Sequence, residues 1–282
     1  MMIDSQGPKS KHKPVPPTGV ELIDRLVDLP DAECTVESYV SAVSEYVRRS
    51  RSLAAGPKKA GQIRLSTALG RALVIELRRQ LPELRHAVFG ERKVSGALRT
   101  VNADVSESHP LDGLRLAVEL KPVNLAVGRA IWNRFGDIRT FAVNLHLKFP
   151  FCIVGGVLAI PTYEEVGTKE AQAASEAEEA SQDGIAVTPS FEASSEASSS
   201  QMTEQGRRST VHLIERAIAR LIRAGGRKTE GDAPHLLEGI AVIVYDPSSG
   251  LLDLDLPPPG SGLRWNEFID AMSAAYKGRF EE

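Results

Sequence analysis

Glu119 and Lys121 stand two positions apart in a run where Leu114, Leu116, Val118 and Leu120 alternate with Arg115, Ala117, Glu119 and Lys121. Period-two alternation predicts a β-strand that carries both charges on one face. Upstream, Val101, Ala103 and Val105 alternate with Asn102 and Asp104, and Pro110-Leu111-Asp112-Gly113 supplies a turn between the two runs. A hairpin closing symmetrically on Leu111-Asp112 pairs residue i with 223 − i. Asp104 then lies opposite Glu119, with Cβ atoms roughly 4.5 to 5.5 Å apart. Two carboxylates so placed repel each other unless they share a cation. Mg²⁺ suits such a pair, because it takes oxygen ligands and leaves room for water and a substrate phosphate. A metal-activated water is a nucleophile, and the metal also neutralises charge on the phosphate. Lys121 would orient that water or stabilise the negative transition state. Asp104, Glu119 and Lys121 thus form a minimal site for phosphodiester hydrolysis.

The elements that must position this hairpin are legible as periodicities. Thr35 is an N-cap for a helix whose Val36, Tyr39, Val40, Val43, Tyr46 and Val47 recur at helical spacing. A second helix is predicted over Ile63–Gln80, ended by Pro82, with an inward stripe of Leu65, Leu69, Ala72 and Leu73. The next member of that stripe is Glu76, and an acidic residue on an apolar stripe needs a partner or a purpose. After the hairpin come a helix over Leu125–His146 and a buried, wholly apolar strand over Phe151–Ile160. Further on lie a helix over Thr210–Arg223, a strand over Leu237–Tyr245 and a helix over Trp265–Tyr276. That order predicts an α/β fold, a mixed central sheet flanked by helices.

The chain of 282 residues has average soluble-protein usage, which excludes a fibre and a disulfide scaffold. Cys34 and Cys152 lie far apart with no C-x-x-C, so a reducing compartment, the cytoplasm, is the expectation. The longest apolar run, Phe149–Pro161, is too short and too rich in Pro and Gly to span a membrane. The Lys- and Pro-rich start has no hydrophobic stretch behind it and does not read as a signal peptide.

Residues 1–19 read as a disordered basic tail, and 161–206 as a disordered acidic insertion rich in Ser, Ala and Glu. One discontinuous domain of 20–160 and 207–282 remains. From Thr168 to Gly206 the insertion carries eight acidic residues against Lys169 alone, a charge of −7. Since the whole chain is at −3, the remainder stands near +4, which no longer opposes a nucleic-acid partner.

Asn102-Ala-Asp-Val-Ser, a glycine turn, and then Leu116-Ala-Val-Glu-Leu-Lys-Pro resemble the D-x(n)-E-x-K hairpin of the PD-(D/E)xK nuclease superfamily, which includes most type II restriction endonucleases. The stretches Asn124-Leu-Ala-Val-Gly-Arg-Ala-Ile-Trp-Asn-Arg-Phe and Asn144-Leu-His-Leu-Lys-Phe-Pro are similar to the region downstream of the motif in some bacterial members. The likeness covers about residues 61–160, and 207–247 in element order only. Ala103 stands where the family's name has Pro, and no separate DNA-reading domain is identifiable.

The resemblance implies a restriction-endonuclease-like fold and a Mg²⁺-dependent DNA endonuclease, with Mn²⁺ able to substitute, from a bacterial restriction or other defence system. Asp104, Glu119 and the Leu120 carbonyl would bind the metal, Lys121 would orient the water, and Glu76 would be an added active-site carboxylate. Double-stranded DNA, a homodimer, a cognate methyltransferase and a 5′-phosphate product are implied by the same likeness. A structure-specific repair nuclease and a catalytically silent, nucleic-acid-binding or scaffolding member of the fold are the competing readings.

Weaker candidates surround this set. Arg129, Asn133 and Arg134 recur at helical spacing after the motif and could grip DNA phosphates. Asp112 is a rival metal ligand, although turn geometry alone explains Asp-Gly. Glu91-Arg92-Lys93 is a second E-x-K without apolar alternation and reads as a solvated charge cluster. The histidines are scattered, and neither Gly155-Gly156 nor Gly225-Gly226 fits a phosphate loop.

Overall fold

The computed structural model describes residues 17–165, 202–203 and 207–281. The elements in chain order are α1 (Glu21–Leu26), α2 (Val36–Arg49), α3 (Ala55–Gln80), a 3₁₀ turn (Pro82–His86), β1 (Val88–Ser95), β2 (Thr100–His109), β3 (Gly113–Pro122), α4 (Val127–His146), β4 (Ile153–Pro161), β5 (Tyr163–Glu165), β6 (Met202–Thr203), β7 (Arg207–Ser209), α5 (Val211–Leu221), β8 (Gly239–Asp246), β9 (Leu251–Leu252) and α6 (Trp265–Phe280). Among the described residues no helix is long and apolar enough to cross a membrane.

The main sheet has six strands in the order β1-β2-β3-β4-β8-β9. The β1-β2-β3 meander is antiparallel, β3-β4-β8 are parallel, and β9 returns antiparallel. The chain is therefore a mixed α/β fold with helices on both faces. Two parallel crossovers, β3-α4-β4 and β4-α5-β8, step across the sheet in the same direction. Crossovers of one hand then put both helices on one face, and α4 and α5 do share a core.

Strand alternation sorts that core into two halves. Leu116, Val118 and Leu120 of β3, with Ile153 and Val157 of β4 and Ala241 and Ile243 of β8, face α1, α2, α3 and α6. Ala117 of β3, Val154 and Leu158 of β4 and Val242 of β8 face α4 and α5. Because both faces are covered, β4 is buried along its whole length, as its unbroken apolar run requires. The Gly155-Gly156 pair within it serves packing. A Cβ on Gly155 would lie 2.9 Å from Met272 Cε of α6, and one on Gly156 would lie 2.5 Å from Ile138 Cγ2 of α4. The two glycines let a helix approach closely on each face.

Thr35 caps α2, accepting from Ser38 N–H, as expected. α3 begins earlier than the apolar stripe indicates, because Pro57 falls in its first turn, where a proline costs little. Two domain limits move. Thr18 is buried and donates both its N–H (2.8 Å) and its hydroxyl (2.9 Å) to Asp24, so the ordered chain includes residues assigned to the tail. The insertion does not begin at 161: β5 pairs with β7 and β7 with β6, forming a small three-stranded sheet at its base. The rest of that insertion, and tail residues 1–16, lie outside the described residues. β1, with no apolar alternation to announce it, is an edge strand exposed along most of its length. Its turn into β2 is held by the buried Asn144 of α4, whose Oδ1 accepts from Leu98 N–H (2.6 Å) and Arg99 N–H (3.1 Å).

Candidate active site

The β2–β3 hairpin follows the expected register where it matters: Val105 pairs with Val118, Ser106 with Ala117 and Glu107 with Leu116. Nearer the turn a one-residue slip between Glu107 and Ser108 moves the closure, so His109 pairs with Gly113. Gly113 takes φ +73°, a left-handed conformation that an Asp-Gly turn provides.

At Asp104 the ladder stops. Ala103 packs into the α4 core while Val105 packs into the α3 core, so β2 switches faces across this one residue. On its other side β1 slips register between Phe89 and Arg92, with Gly90 at φ +100°. A bulge of this kind bends the strand and re-aims a side chain. The Asp104 carboxylate turns into the plane of the sheet, and its Oδ2 accepts the Leu120 backbone N–H at 2.7 Å. The expectation that Asp104 simply opposes Glu119 is thereby refined: it reaches β3 by replacing a backbone acceptor. A strand residue directs its N–H and C=O toward the same neighbour, so the Leu120 carbonyl faces the same gap.

Glu119 and Lys121 share the α4 face of β3, as their spacing requires, and form a direct ion pair. Glu119 is 7% exposed, and its second oxygen, Oε2, is buried without a hydrogen-bond partner. Burial pushes the Glu119 carboxyl up to about 7; Lys121 opposes the shift, and the charges of Asp104 and Asp137 add to it. The Asp104 carboxyl is also raised, by burial first, with the Leu120 N–H and Lys121 pulling it down and Glu91 pushing it up. Asp104, Glu119 and Lys121 therefore occupy one electrostatic neighbourhood.

Two members of that neighbourhood have no chemical signature in sequence. Asp137 is an exposed residue of α4 that comes into range because Gly156, the β4 partner of Glu119, lets α4 sit close. Glu91 is exposed, in keeping with a solvated charge cluster. The β1 bulge nevertheless brings it beside Asp104, and Asn102 Nδ2 donates to its Oε2 at 3.3 Å. The triplet spacing gives no hint of this, because a bulge has no fixed sequence mark.

Glu76 does not join the site. The i+4 stripe of α3 runs Leu65, Leu69, Leu73 and Leu77, all buried, and leaves Glu76 on its flank, paired with Arg79. Moreover, α3 packs against Val118 and Leu120, the face of β3 opposite Glu119. Asp112 sits at the hairpin tip, bonded to Arg115 Nε at 2.7 Å and 3.2 Å from His109 Nδ1, at the far end of β3 from Glu119. Arg129, Asn133 and Arg134 are all exposed on α4, and Arg134 is tied to Asp137 at 3.2 Å. Among the described residues no cluster of three or more His, Cys, Asp or Glu side chains could hold a metal ion. The donor set is two carboxylates and a carbonyl, enough for Mg²⁺, which completes its shell with water and phosphate. The unpartnered Glu119 Oε2 is the atom that such a cation would satisfy.

A scan against protein-family models gives no match, and searches of curated proteins and of solved structures find no similar chain.

Proposed function

We propose that the protein hydrolyses phosphodiester bonds in DNA, using a divalent cation held by Asp104 and Glu119, within a restriction-endonuclease-like fold. The observation that carries this reading is the convergence of Asp104, Glu119 and Lys121 where β2 parts from β3, with one buried Glu119 oxygen unpartnered. Bound there, Mg²⁺ would neutralise charge on the scissile phosphate and acidify a water. The chain supplies the rest. Glu119, raised to about 7 when no cation is present, ionises readily once one binds. Lys121 exchanges its carboxylate partner for the attacking water or a non-bridging phosphate oxygen. Asp104 keeps its Oδ2 on Leu120 and offers Oδ1.

A bacterial restriction or other defence role, with two copies cutting two strands, is the biological setting proposed. A second reading, a silent nucleic-acid-binding member of the fold, is favoured by one observation. The Lys121 ammonium already lies on Glu119 and occupies part of the space a cation would use.

The experiment is incubation of supercoiled plasmid with the protein in Mg²⁺, Mn²⁺ or EDTA, beside Glu119→Ala and Lys121→Ala. Discrete fragments that need the metal and vanish in both variants support a restriction enzyme, and nicking or a smear supports a repair nuclease. DNA binding with no cleavage in either metal overturns the enzyme reading in favour of the silent one.

A further inference from the structure

Between α4 and α5 lies a recess of about 430 Å³ whose lining includes Trp132, Phe135, Arg139, Arg220 and His235. α5 seats on α4 through Ile214, Ala217, Ile218 and Leu221, leaving its arginines at the rim. The Arg220 guanidinium lies 4.3 Å from the Trp132 ring centroid and that of Arg216 5.9 Å, while Arg139 lies 5.8 Å from the Phe135 centroid. Among the described residues none of these three guanidinium groups is held in an ion pair or hydrogen bond. A guanidinium stacked on a ring is positioned by its face, so the N–H donors along its edge stay available. Among the described residues no carboxylate lines the recess. Gly136 at its margin leaves open space where any other residue would place a Cβ.

Two arginines and two aromatic rings on the wall of a hollow of ligand size, with Arg216 beside Trp132, match single-stranded nucleic acid. Its phosphates take arginine edges and its unpaired bases take ring faces. A duplex buries its base faces and would leave Trp132 and Phe135 without a use. Phe135 and Arg139 each lie two residues from Asp137, about 200° around the helix at 3.6 residues per turn. Gly136 and Thr140, which also line the recess, lie about 100° and 60° from Asp137, so the recess runs from the flank of α4 beside the catalytic candidates to its outer face and is lined by none of their side chains. We infer that the α4–α5 recess binds an unpaired DNA segment flanking the site of cleavage. This inference rests on the nuclease reading for its substrate, but its chemistry is separate.

Trp132 and Trp265 are the two tryptophans of the chain, so Trp265→Phe isolates Trp132 as a fluorescent reporter. In EDTA, which prevents cleavage, a twelve-nucleotide oligothymidylate is titrated beside its duplex with oligoadenylate, beside thymidine monophosphate and beside inorganic phosphate. The expected result is quenching by the single strand, at least tenfold tighter than by the duplex or by either small anion. Arg139→Ala with Arg220→Ala should weaken it by about tenfold or more. The same pair should lower the slope of log affinity on log salt by about 1.4, near 0.7 for each single-strand phosphate left without its arginine. Equal binding by the double variant, or small anions bound as tightly as the oligonucleotide, overturns the inference. Oligonucleotide binding without plasmid cleavage in any divalent metal overturns the nuclease reading and leaves the recess intact. Cleavage with no change of oligonucleotide binding in the arginine variant overturns the recess alone.

Discussion

The Asp104 carboxylate takes the backbone N–H of Leu120 at 2.7 Å, at the point where β2 stops offering a carbonyl to β3. One side chain thus closes the hairpin and brings a negative charge beside Glu119 and Lys121. These two roles separate by substitution. Asp104→Asn keeps an oxygen acceptor for Leu120 and should stay within about 1 kcal/mol of the parent in urea unfolding. Asp104→Ala leaves a part-buried N–H unsatisfied and should cost about 1–3 kcal/mol. Both variants should lose metal-dependent cleavage, since neither holds the charge. An Asn variant that still cleaves would remove Asp104 from the metal site.

Glu119 gives the site a pH signature in the absence of metal. Its folded carboxyl titrates at about 7 against an ordinary value of 4.5, because burial disfavours the charge. The folded state therefore holds this proton more tightly than the unfolded chain. The stabilisation is fully present below about pH 4.5 and is lost as pH rises through 7. The difference amounts to about 3 kcal/mol at most, each tenfold change in proton affinity being worth about 1.4 kcal/mol. Without metal, the Glu119 contribution should make the melting temperature lower at pH 8 than at pH 5.5. Glu119→Gln should flatten that difference, and Mg²⁺ at pH 8 should restore the parent but not the variant. Differential scanning calorimetry reads all three.

Much of this site was legible in the sequence, for a definite reason. The period-two runs around Val118 and Val105 impose strands, and the buried faces fix their register, because a one-residue slip would turn Leu116, Val118 and Leu120 out of their core. That register put Asp104 near Glu119 even though the turn closed one residue away from the symmetric position. What escaped depended on features without a period. The β1 bulge that delivers Glu91 and re-aims Asp104 has only Gly90 to mark it. Asp137 reaches the site because Gly156 in β4 sets the distance of α4. Glu76 misled because an offset of eleven returns to within about 20° of Leu65 on an ideal helix, whereas the buried row of α3 advances by fours and drifts about 40° a step, so Leu77, not Glu76, continued the stripe. The sheet at the base of the insertion escaped for want of length, its strands running to three residues or fewer.

Glu238, at the head of β8, is a single carboxylate shared by two buried arginines and a buried histidine. Arg227 Nη1 lies at 2.8 Å, Arg279 Nη2 at 2.7 Å and His146 Nε2 at 3.3 Å, and the Val154 N–H donates at 2.8 Å. Burial pulls its carboxyl upward, but the hydrogen bond and charge of His146, the Val154 N–H and Arg227 hold it below the usual range. A depressed carboxylate stabilises the fold above pH 4.5, and that contribution fades as pH falls through the folded value. Glu238→Gln leaves Arg227 and Arg279 buried without a counter-charge, which should cost about 3–5 kcal/mol. Urea unfolding at pH 7 tests this, and repetition at pH 3.5 should show a smaller penalty. An unchanged midpoint at pH 7 would show that other groups neutralise the two arginines.

Gly156 tests whether the distance of α4 from the sheet governs the site. A Cβ there would lie 2.5 Å from Ile138 Cγ2, a buried side chain with little room to turn. Gly156→Ala must push α4 outward, at a cost of about 1–3 kcal/mol for an overpacked core. Ile138→Ala removes the clashing methyl and, alone, leaves a cavity costing about 2–5 kcal/mol. Together the two changes relieve each other, so the double variant should cost less than the sum of the singles by more than about 0.5 kcal/mol. Outward movement also carries Asp137 away from Glu119, removing one of the charges that raise its carboxyl. Titration of Glu119 by ¹³C NMR should therefore give a lower midpoint in Gly156→Ala than in the parent. A midpoint that holds while stability falls would show that α4 yields at Ile138 without carrying Asp137 away from Glu119.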